Sequence, residues 1–337
     1  MQSSTPNLNR CQNLAVINRV NAVHIALASD RRYLPGLKAT LVSMIVAAKE
    51  KAALRFHIFT DSNQEELQLL AKRFGYTEDI DFRDSNLEIL KNRFNKYNDS
   101  HVACLRLLLP ELMNDIDWII WSDVDTIWLR DPAELWSQRD DDYSILWSRD
   151  LPSIAHDIKQ YSVWNPLMDE RKYGCSGVVL MNLNKLRKTS FVDQCFEFVK
   201  KWGSPPFPDQ DILNYLCYDN AKFVDDRWDL LNPNRNYQDG VVLHFNGCGK
   251  YFNDKEYDGW RPLYEIWFRY YRQVIEGRTN ESIWPIWKRW MFNLIGFAYL
   301  PRWVFAWLPI CGQRIDGLHR TQFFAWLRQK SLWSPIK

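Results

Sequence analysis

Short apolar runs alternate with amphipathic segments through the first quarter of the chain. Ala22–Ser29 and Leu54–Asp61 combine apolar, β-branched and aromatic residues, a pattern typical of buried strands. Leu37–Lys51 and Glu65–Phe74 have the apolar spacing of amphipathic helices, and Ile80–Phe82 is predicted to be a third strand. Strands that alternate with helices form βαβ units, so the pattern predicts an α/β fold built on a parallel sheet.

The same alternation continues with less regular spacing up to residue 245. The strand predicted at Asp117–Trp121 runs directly into a polar turn, and another strand is predicted near the end of this region. The predicted elements are a helix at Val102–Leu112, strands at Asp117–Trp121, Ser144–Trp147, Val178–Asn182 and Val241–Phe245, and helices at Leu183–Arg187 and Asp209–Cys217.

The net charge of the chain conceals a strong asymmetry. The 337 residues carry 43 basic and 41 acidic side chains, a net charge of +2, so we expect no nucleic-acid partner. Residues 284–337 hold eight basic residues and one acid, which gives this tail +7 and residues 1–283 a charge of −5. The tail also holds seven of the 17 Trp. We therefore predict a catalytic domain at 1–283 and a helical, basic, aromatic tail at 284–337.

The tail has features of a segment that lies on a membrane surface. Trp284, Trp287 and Trp290 recur at helical spacing, with Lys288 and Arg289 between them, a composition suited to anionic headgroups. A packed helical subdomain and an oligomer interface are the alternatives. The sequence contains no recognisable signal peptide, spanning helix or paired cysteine motif. We expect a cytoplasmic protein held peripherally on the inner face of the cytoplasmic membrane.

Two carboxylates, Asp123 and Asp125, follow the strand predicted at Asp117–Trp121. Ligands bind at the carboxyl ends of strands in open α/β sheets. On an extended segment, side chains at i and i+2 point the same way, so both carboxylates could reach one hard cation such as Mg²⁺ or Mn²⁺. The alternative is a solvated Asp-rich turn.

His244 ends the last predicted strand and is followed by Gly247 and Lys250. An imidazole and two carboxylates suit Mn²⁺, and a glycine turn with a lysine suits a diphosphate. The alternatives are a core histidine and an ordinary turn. Farther upstream, Asp209 and Gln210 open a helix, where an acid either complements the helix dipole or faces the same pocket.

Together these residues predict a bound metal diphosphate, as in nucleotide-sugar chemistry, where the metal neutralises charge on a departing diphosphate. A metal-dependent nucleotidyltransferase or diphosphatase remains open at this point. The order of motifs resembles glycosyltransferase family 8 over roughly residues 22–252. The motifs are HIALASDRRYLPGL (24–37), ACLRLLLPEL (103–112), WSDVDTIWLRDPAELW (121–136), GCSGVVLMNLNKLR (174–187), PDQDILNYL (208–216) and LHFNGCGK (243–250).

The resemblance implies a GT-A fold and transfer of a hexose, galactose or glucose, from a UDP-sugar with retention at the anomeric carbon, dependent on Mn²⁺ or on Mg²⁺ in its place. It implies metal ligation by Asp123, Asp125 and His244, and catalytic positions for Asp209 and Gln210 next to the donor sugar. The substrate-binding positions that it implies are Asp30 and Tyr33 for uracil, Arg106, Cys175 and Ser176 near the donor sugar or diphosphate, and Gly247 and Lys250 for the diphosphate.

Two departures from the family pattern bear on specificity. Cys175 stands where the family has Asn, and Arg31 and Arg32 change the first loop, so the donor hexose stays open. The predicted acceptor is lipopolysaccharide core or another lipid-linked saccharide. A protein or polysaccharide acceptor is one alternative, and a non-enzymatic membrane-docking module is another. Because an amide is a poor nucleophile, Gln210 favours front-face attack over double displacement.

Overall fold

The computed structural model describes residues 22–84, 87–96, 100–161, 169–231 and 240–246. All of them belong to one compact unit, made of Met1–Pro233 and Gly240–Lys250. The predicted tail, the boundary at residue 283, and the predicted diphosphate contacts Gly247 and Lys250 lie outside the described residues. Among the residues that are described, no helix has the length and apolarity needed to cross a bilayer.

Within these residues, seven strands form a central sheet. They are β1 (Val23–Ser29), β2 (Leu54–Thr60), β3 (Asp81–Arg83), β4 (Trp118–Ser122), β6 (Ile145–Arg149), β7 (Gly174–Asn182) and β8 (Ala221–Phe223), with β5 (Thr126–Trp128), β9 (Leu230–Leu231) and β10 (Val242–His244) in a smaller sheet. The central order is β3-β2-β1-β4-β7-β6-β8.

Strand direction divides the central sheet. The predicted parallel arrangement is confirmed for β1, β2, β3 and β4, and β8 is parallel to β6. β7 departs from it, because it is antiparallel to both of its neighbours, β4 and β6. β7 also begins four residues before the predicted start at Val178. Its first residues, Gly174 to Gly177, are small or polar, which hides a strand from a hydrophobicity pattern.

The described helices cover the sheet. The helix predicted at Leu37–Lys51 is α1, which begins at Leu34, since Pro35 fits the first helical turn, and ends at Ala47. The α-helices are α1 (Leu34–Ala47), α2 (Gln64–Arg73), α3 (Leu87–Lys91), α4 (Leu109–Leu112), α5 (Pro132–Trp136), α6 (Pro152–Tyr161), α7 (Leu183–Lys188), α8 (Phe191–Trp202) and α9 (Pro208–Leu216). Short 3₁₀ helices lie at Arg31–Tyr33, Lys51–Ala53, Val102–Leu108, Glu170–Lys172 and Asp226–Asp229.

The helix predicted at Val102–Leu112 is instead a 3₁₀ helix, Val102–Leu108, followed by the single turn α4. Pro110 has no backbone N–H, so it cannot donate the α-helical bond to the carbonyl of Arg106. The N–H of Leu109 donates to that carbonyl instead, in the 3₁₀ pattern. The 3₁₀ segment is almost entirely buried and presents Arg106 to the interior.

The smaller sheet, in the order β5-β10-β9, positions the predicted metal ligands. β10 is antiparallel to β5, which places His244 directly opposite Thr126. The N–H of Phe245 also donates to the carbonyl of Asp125 at 2.9 Å. The turn that carries Asp123 is fixed to β7, because the N–H of Asp123 donates to the carbonyl of Gly177 at 2.8 Å. Residues more than one hundred positions apart are thus brought to one site by backbone pairing.

Candidate active site

A cavity of about 310 Å³ opens where β1 and β4 end and β7 begins. This is the carboxyl edge of the parallel strands, the edge at which open α/β sheets bind ligands. Every predicted site residue that the structure describes lines the cavity. The lining includes Asp30, Tyr33, Arg106, Asp123, Asp125, Asp150, Cys175, Ser176, Gly177, Asp209, Gln210 and His244.

Three predicted metal ligands meet on one side of the cavity. Nε2 of His244 lies 3.4 Å from a carboxylate oxygen of Asp125 and 3.9 Å from one of Asp123. The two aspartates occupy a turn between β4 and β5 rather than the extended segment that we expected. Because the turn packs against the end of β10, both carboxylates still face the same imidazole nitrogen.

These three side chains form a donor set that fits a divalent cation. One ligand atom from each of Asp123, Asp125 and His244 lies within 4.8 Å of the others. The Asp123 side chain is 27% exposed, so the set opens on the cavity side and leaves room for further ligands. Two carboxylates and one imidazole suit Mn²⁺ or Mg²⁺, and Mn²⁺ tolerates the nitrogen donor better.

Burial and neighbouring charges act in opposite directions on the pKa values of His244 and Asp123. Burial by itself lowers the pKa of His244, but the carboxylates of Asp229 and Asp125 raise it well above the ordinary value. Burial raises the pKa of Asp123 to about 6, against the opposing influence of Arg106. The carboxylates that raise the pKa of His244 would also attract a divalent cation.

Arg106 is a fully buried cation that joins the two halves of the cavity. Its guanidinium bonds Asp123 at 2.6 Å on one side and lies 3.1 Å from Asp209 on the other, and it donates to the carbonyl of Ser176. The indole of Trp121 lies 4.6 Å beneath the guanidinium carbon. A buried charge needs such pairing to offset the loss of its hydration. Burial lowers the pKa of Arg106, but the carboxylates of Asp123 and Asp209 outweigh that effect and raise it.

Asp209 and Gln210 lie in the first turn of α9 and face the cavity wall formed by β7. Ser176 links them: its hydroxyl donates to Asp209 at 2.8 Å, and its N–H donates to Oε1 of Gln210 at 3.0 Å. On the other side, the Gln210 amide nitrogen donates to Asp150 at 2.7 Å and to the Tyr173 hydroxyl at 3.2 Å. The amide group of Gln210 is therefore held at both ends.

Asp30 and Tyr33 also line the cavity; Asp30 precedes the first 3₁₀ helix after β1, and Tyr33 ends that helix. One carboxylate oxygen of Asp30 caps this helix by accepting from the N–H groups of Arg32 and Tyr33 at 2.9 and 3.3 Å. The second oxygen lies 3.5 Å from the exposed Arg32 guanidinium, which also lies 5.8 Å from the Tyr33 ring. The predicted uracil contacts Asp30 and Tyr33 therefore line the cavity, with the exposed Arg32 beside them.

Cys175 lies on β7 behind the metal-ligand set. It is buried, and its sulfur lies 4.0 Å from Nδ1 of His244. Burial, with the nearby carboxylates of Asp229 and Asp150, raises the pKa of its thiol well above the usual range. A neutral thiol is a weak hydrogen-bond donor, so the hydrogen bond that it can form with a sugar hydroxyl is weaker than that of an amide.

Three residues of the site were not identified from the sequence. Asp150 directly follows β6 and accepts a hydrogen bond from Gln210; burial raises the pKa of Asp150 to about 6. Tyr173 precedes β7 and contacts the same amide. Asp229 bonds Nδ1 of His244 at 2.7 Å. Asp229 lies in an acid-rich 3₁₀ helix that belongs to no motif, so the sequence does not mark it as a site residue. Asp150 directly follows a buried strand, and that position could have marked it as a site residue.

Comparison with known sequences finds related proteins over most of the chain. The model of glycosyl transferase family 8 matches residues 24–255. Mouse glucoside xylosyltransferase 2 is 25% identical over 276 residues, which cover 72% of this chain and 61% of that protein. Human glucoside xylosyltransferase 1 is 24% identical over 284 residues, covering 74% of this chain and 62% of that protein. The chain therefore spans about three fifths of the length of these two relatives.

Solved structures show a related fold. Galactosyltransferase LgtC, in complex with donor and acceptor sugar analogues, superposes with a TM-score of 0.62 at 20% identity, over 76% of this chain and 96% of LgtC. Mouse xyloside xylosyltransferase 1 superposes with a TM-score of 0.53 at 18% identity, over 67% of this chain and 98% of that protein. These likenesses confirm the predicted GT-A fold.

Proposed function

The chain belongs to glycosyltransferase family 8, and on that premise we propose that it transfers a sugar from a UDP-sugar to a glycan acceptor, with retention and with the aid of Mn²⁺ or Mg²⁺. One observation carries the proposal: the acidic donor set at His244 and the wall formed by Asp209 and Gln210 share one cavity and are joined by Arg106. A metal diphosphate and a sugar would thus lie side by side.

The charges of the site assign different roles to the cation, to the two aspartates and to Arg106. A divalent cation supplies compensation for the negative charge that builds on the leaving diphosphate. Asp123 and Asp125 hold the cation, while Arg106 adds a fixed positive charge on the sugar side of the carboxylates. A nucleotidyltransferase or diphosphatase needs the same cation, but its reaction does not require a sugar site beside that cation. The wall formed by Ser176, Asp209 and Gln210 therefore favours sugar transfer.

The hydrogen bonds of Gln210 favour front-face attack over a covalent intermediate. Its Oε1 accepts from the N–H of Ser176 at 3.0 Å and from the hydroxyl of the same residue at 3.3 Å. Both bonds reduce the nucleophilicity of an oxygen that is already a poor nucleophile. We propose that Gln210 positions the anomeric carbon while a donor phosphate oxygen takes the proton of the acceptor hydroxyl.

The donor sugar is proposed to be a hexose, galactose or glucose. The thiol of Cys175 gives this wall weaker hydrogen-bonding capacity than the amide it replaces, so a sugar that needs a strong donor there would bind poorly. Relatives named as xylosyltransferases and a structural neighbour named as a galactosyltransferase set the range of sugars to be compared.

Slow hydrolysis of donors in the absence of acceptor tests the proposal. UDP-galactose, UDP-glucose, UDP-xylose and UDP-N-acetylglucosamine are incubated with the protein and Mn²⁺, and UDP release is followed over time. We expect release from one of the two hexose donors, none with EDTA, and none from UTP. UTP hydrolysis instead of sugar release would favour the nucleotidyltransferase or diphosphatase alternative, and no release from any donor would contradict the proposal.

The acceptor is proposed to be lipopolysaccharide core or another lipid-linked saccharide on the inner face of the cytoplasmic membrane. Residues 284–337 support this, because their charge of +7 and seven Trp suit an anionic leaflet. Flotation of the full chain with phosphatidylglycerol vesicles, compared with phosphatidylcholine vesicles, tests the membrane contact. We expect flotation only with the anionic vesicles, and weaker flotation for Lys288→Gln/Arg289→Gln; equal behaviour in both lipids would contradict it.

A further inference from the structure

Asp229 lies behind the metal-ligand set and was not part of any sequence motif. Its side chain is completely buried, and it occupies the 3₁₀ helix that precedes β9. Both carboxylate oxygens have partners: one lies 2.7 Å from Nδ1 of His244, and the other accepts from the N–H of Val178 at 3.1 Å. The carboxylate is thus anchored to β7 and aimed at the imidazole ring.

We propose that Asp229 is a positioning residue that fixes the ring of His244 so that Nε2, and not Nδ1, binds the cation. The inference rests on the proposed metal dependence of the enzyme. A neutral imidazole that donates from Nδ1 to a carboxylate carries its lone pair on Nε2. In this site, Nε2 is the nitrogen that faces Asp123 and Asp125. Such a carboxylate partner also makes the ligating nitrogen more basic.

Gly177 leaves the room that the ring needs in this position. A Cβ atom at Gly177 would lie 2.2 Å from Cε1 and 2.4 Å from Nδ1 of His244, far inside van der Waals contact. It would also lie 3.0 Å from Asp229. The absent side chain therefore creates the space that the imidazole and its carboxylate partner fill. Any larger residue would push the ring towards the open side of the cavity.

One potential ligand atom from each of Cys175, Asp229 and His244 also lies within 4.8 Å of the others, as in a second metal site. Their environment argues against that use. Nδ1 of His244 and both oxygens of Asp229 are engaged in the hydrogen bonds given above, and the sulfur of Cys175 lies 4.0 Å from the same Nδ1. The group therefore supports the cation site from behind rather than competing with it.

The sharpest variant is Asp229→Asn, which preserves the size of the side chain. An asparagine offers one oxygen and one NH₂ group, whereas both partners, the imidazole and the N–H of Val178, are donors. One of them must face the NH₂ group, so the ring loses its fixed orientation or the anchor to β7 fails. Loss of a carboxylate partner behind a ligating histidine typically weakens metal binding about 10- to 100-fold.

The metal affinity is measured without donor sugar by titrating the full chain with Mn²⁺ and counting free Mn²⁺ by electron paramagnetic resonance. Asp225→Asn is the matched control, since Asp225 caps the same 3₁₀ helix, is half exposed and bonds Arg227 rather than His244. We expect one saturable site in the wild type and in the control, and a dissociation constant 10- to 100-fold higher in Asp229→Asn. Turnover of Asp229→Asn should recover at high Mn²⁺, which a general folding defect would not allow.

A second measurement uses the wild type alone and does not depend on the folding of a variant. In long-range proton–nitrogen spectra of the Cd²⁺-loaded protein, we expect a proton on Nδ1 of His244 and a metal-shifted Nε2. Metal on Nδ1, or equal Mn²⁺ affinity in wild type and a folded Asp229→Asn, would overturn the role of Asp229. Absence of any saturable Mn²⁺ site in the wild type would instead overturn the proposed function itself.

Discussion

Two segments of the chain have the same Asp-x-Asp spacing but place their carboxylates differently. Asp123 and Asp125 lie in a turn, and both face Nε2 of His244, at 3.9 and 3.4 Å. Asp209 and Asp211 lie in the first turn of α9, and only Asp209 lines the cavity. The first pair converges on one point, whereas the second pair diverges.

The divergence follows from helical geometry, because residues two apart on a helix do not face each other. Asp209 accepts from Ser176 and pairs with Arg106. Asp211 turns into the protein, where the hydroxyl of Tyr173 donates to it at 2.7 Å and the N–H of Phe207 donates at 3.0 Å. The same spacing therefore gives two proposed metal ligands in a turn, but one cavity residue and one structural residue on a helix.

The largest effect is expected in the converging pair. Asp123→Asn and Asp125→Asn each remove one anionic ligand from a set of three, so we expect Mn²⁺ affinity to fall at least about 100-fold and turnover to become undetectable. UDP release and Mn²⁺ binding are measured side by side. Full turnover in Asp123→Asn would remove the basis for placing the cation there.

A smaller but still large effect is expected for Asp209→Asn. A cation drawn to Asp123 leaves Asp209 as the main counter-charge of the buried Arg106, and Asn cannot replace that charge. We expect turnover to fall about 100-fold and the free energy of unfolding to fall by about 1–3 kcal/mol. Urea unfolding and UDP release provide the two measurements. A variant with unchanged stability and turnover would show that this ion pair is dispensable.

Gln210 lies between the two aspartates of α9, and Gln210→Ala tests its role separately from theirs. We expect turnover to fall on the order of 10- to 100-fold without vanishing, because a positioning group is lost but the cation site is intact. Mn²⁺ affinity should match the wild type. Complete loss of turnover, together with a glycosyl-enzyme trapped in the wild type, would instead support a double displacement.

The smallest effect is expected for Asp211→Asn, and it is a change in the pH dependence of the free energy of unfolding. Burial raises the pKa of Asp211 from 3.8 to about 6, so the folded protein binds this proton more tightly than the unfolded chain does. This contribution stabilises the fold below about pH 4 and is lost as the pH rises to about 6. Relative to the variant, the wild type should therefore lose about 1–3 kcal/mol of unfolding free energy across that interval. Parallel stability curves for the two proteins would contradict the assignment.

The sequence predicts most of this fold where the hydrophobic pattern is regular. The strands that end at Ser29, Thr60 and Ser122 were expected within about two residues of their observed bounds. The direction of β7 was not predictable, since strand pairing depends on long-range contacts rather than on local periodicity. The segment around Arg106 is a 3₁₀ helix because Pro110 cannot donate the α-helical bond, an effect that apolar periodicity does not encode.

The candidate site was predictable to the extent that its residues belong to motifs. Asp123, Asp125 and His244 were singled out for their position at strand ends, and the structure brings them together through the pairing of β5 with β10. Asp229 was not, because its role depends on which side of the His244 ring it meets, a property of tertiary packing alone. Motif spacing identifies candidate ligands, but it does not identify the groups that orient them.

We propose that a divalent cation at the converging pair holds a nucleoside diphosphate in this cavity. Calorimetric titration with UDP measures this binding in the wild type and in Asp123→Asn, each with Mn²⁺ and with EDTA. We expect measurable binding to the wild type with Mn²⁺ and binding at least about 100-fold weaker in the other three combinations. Equal affinity for UDP in the presence of EDTA, or in Asp123→Asn with Mn²⁺, would contradict it.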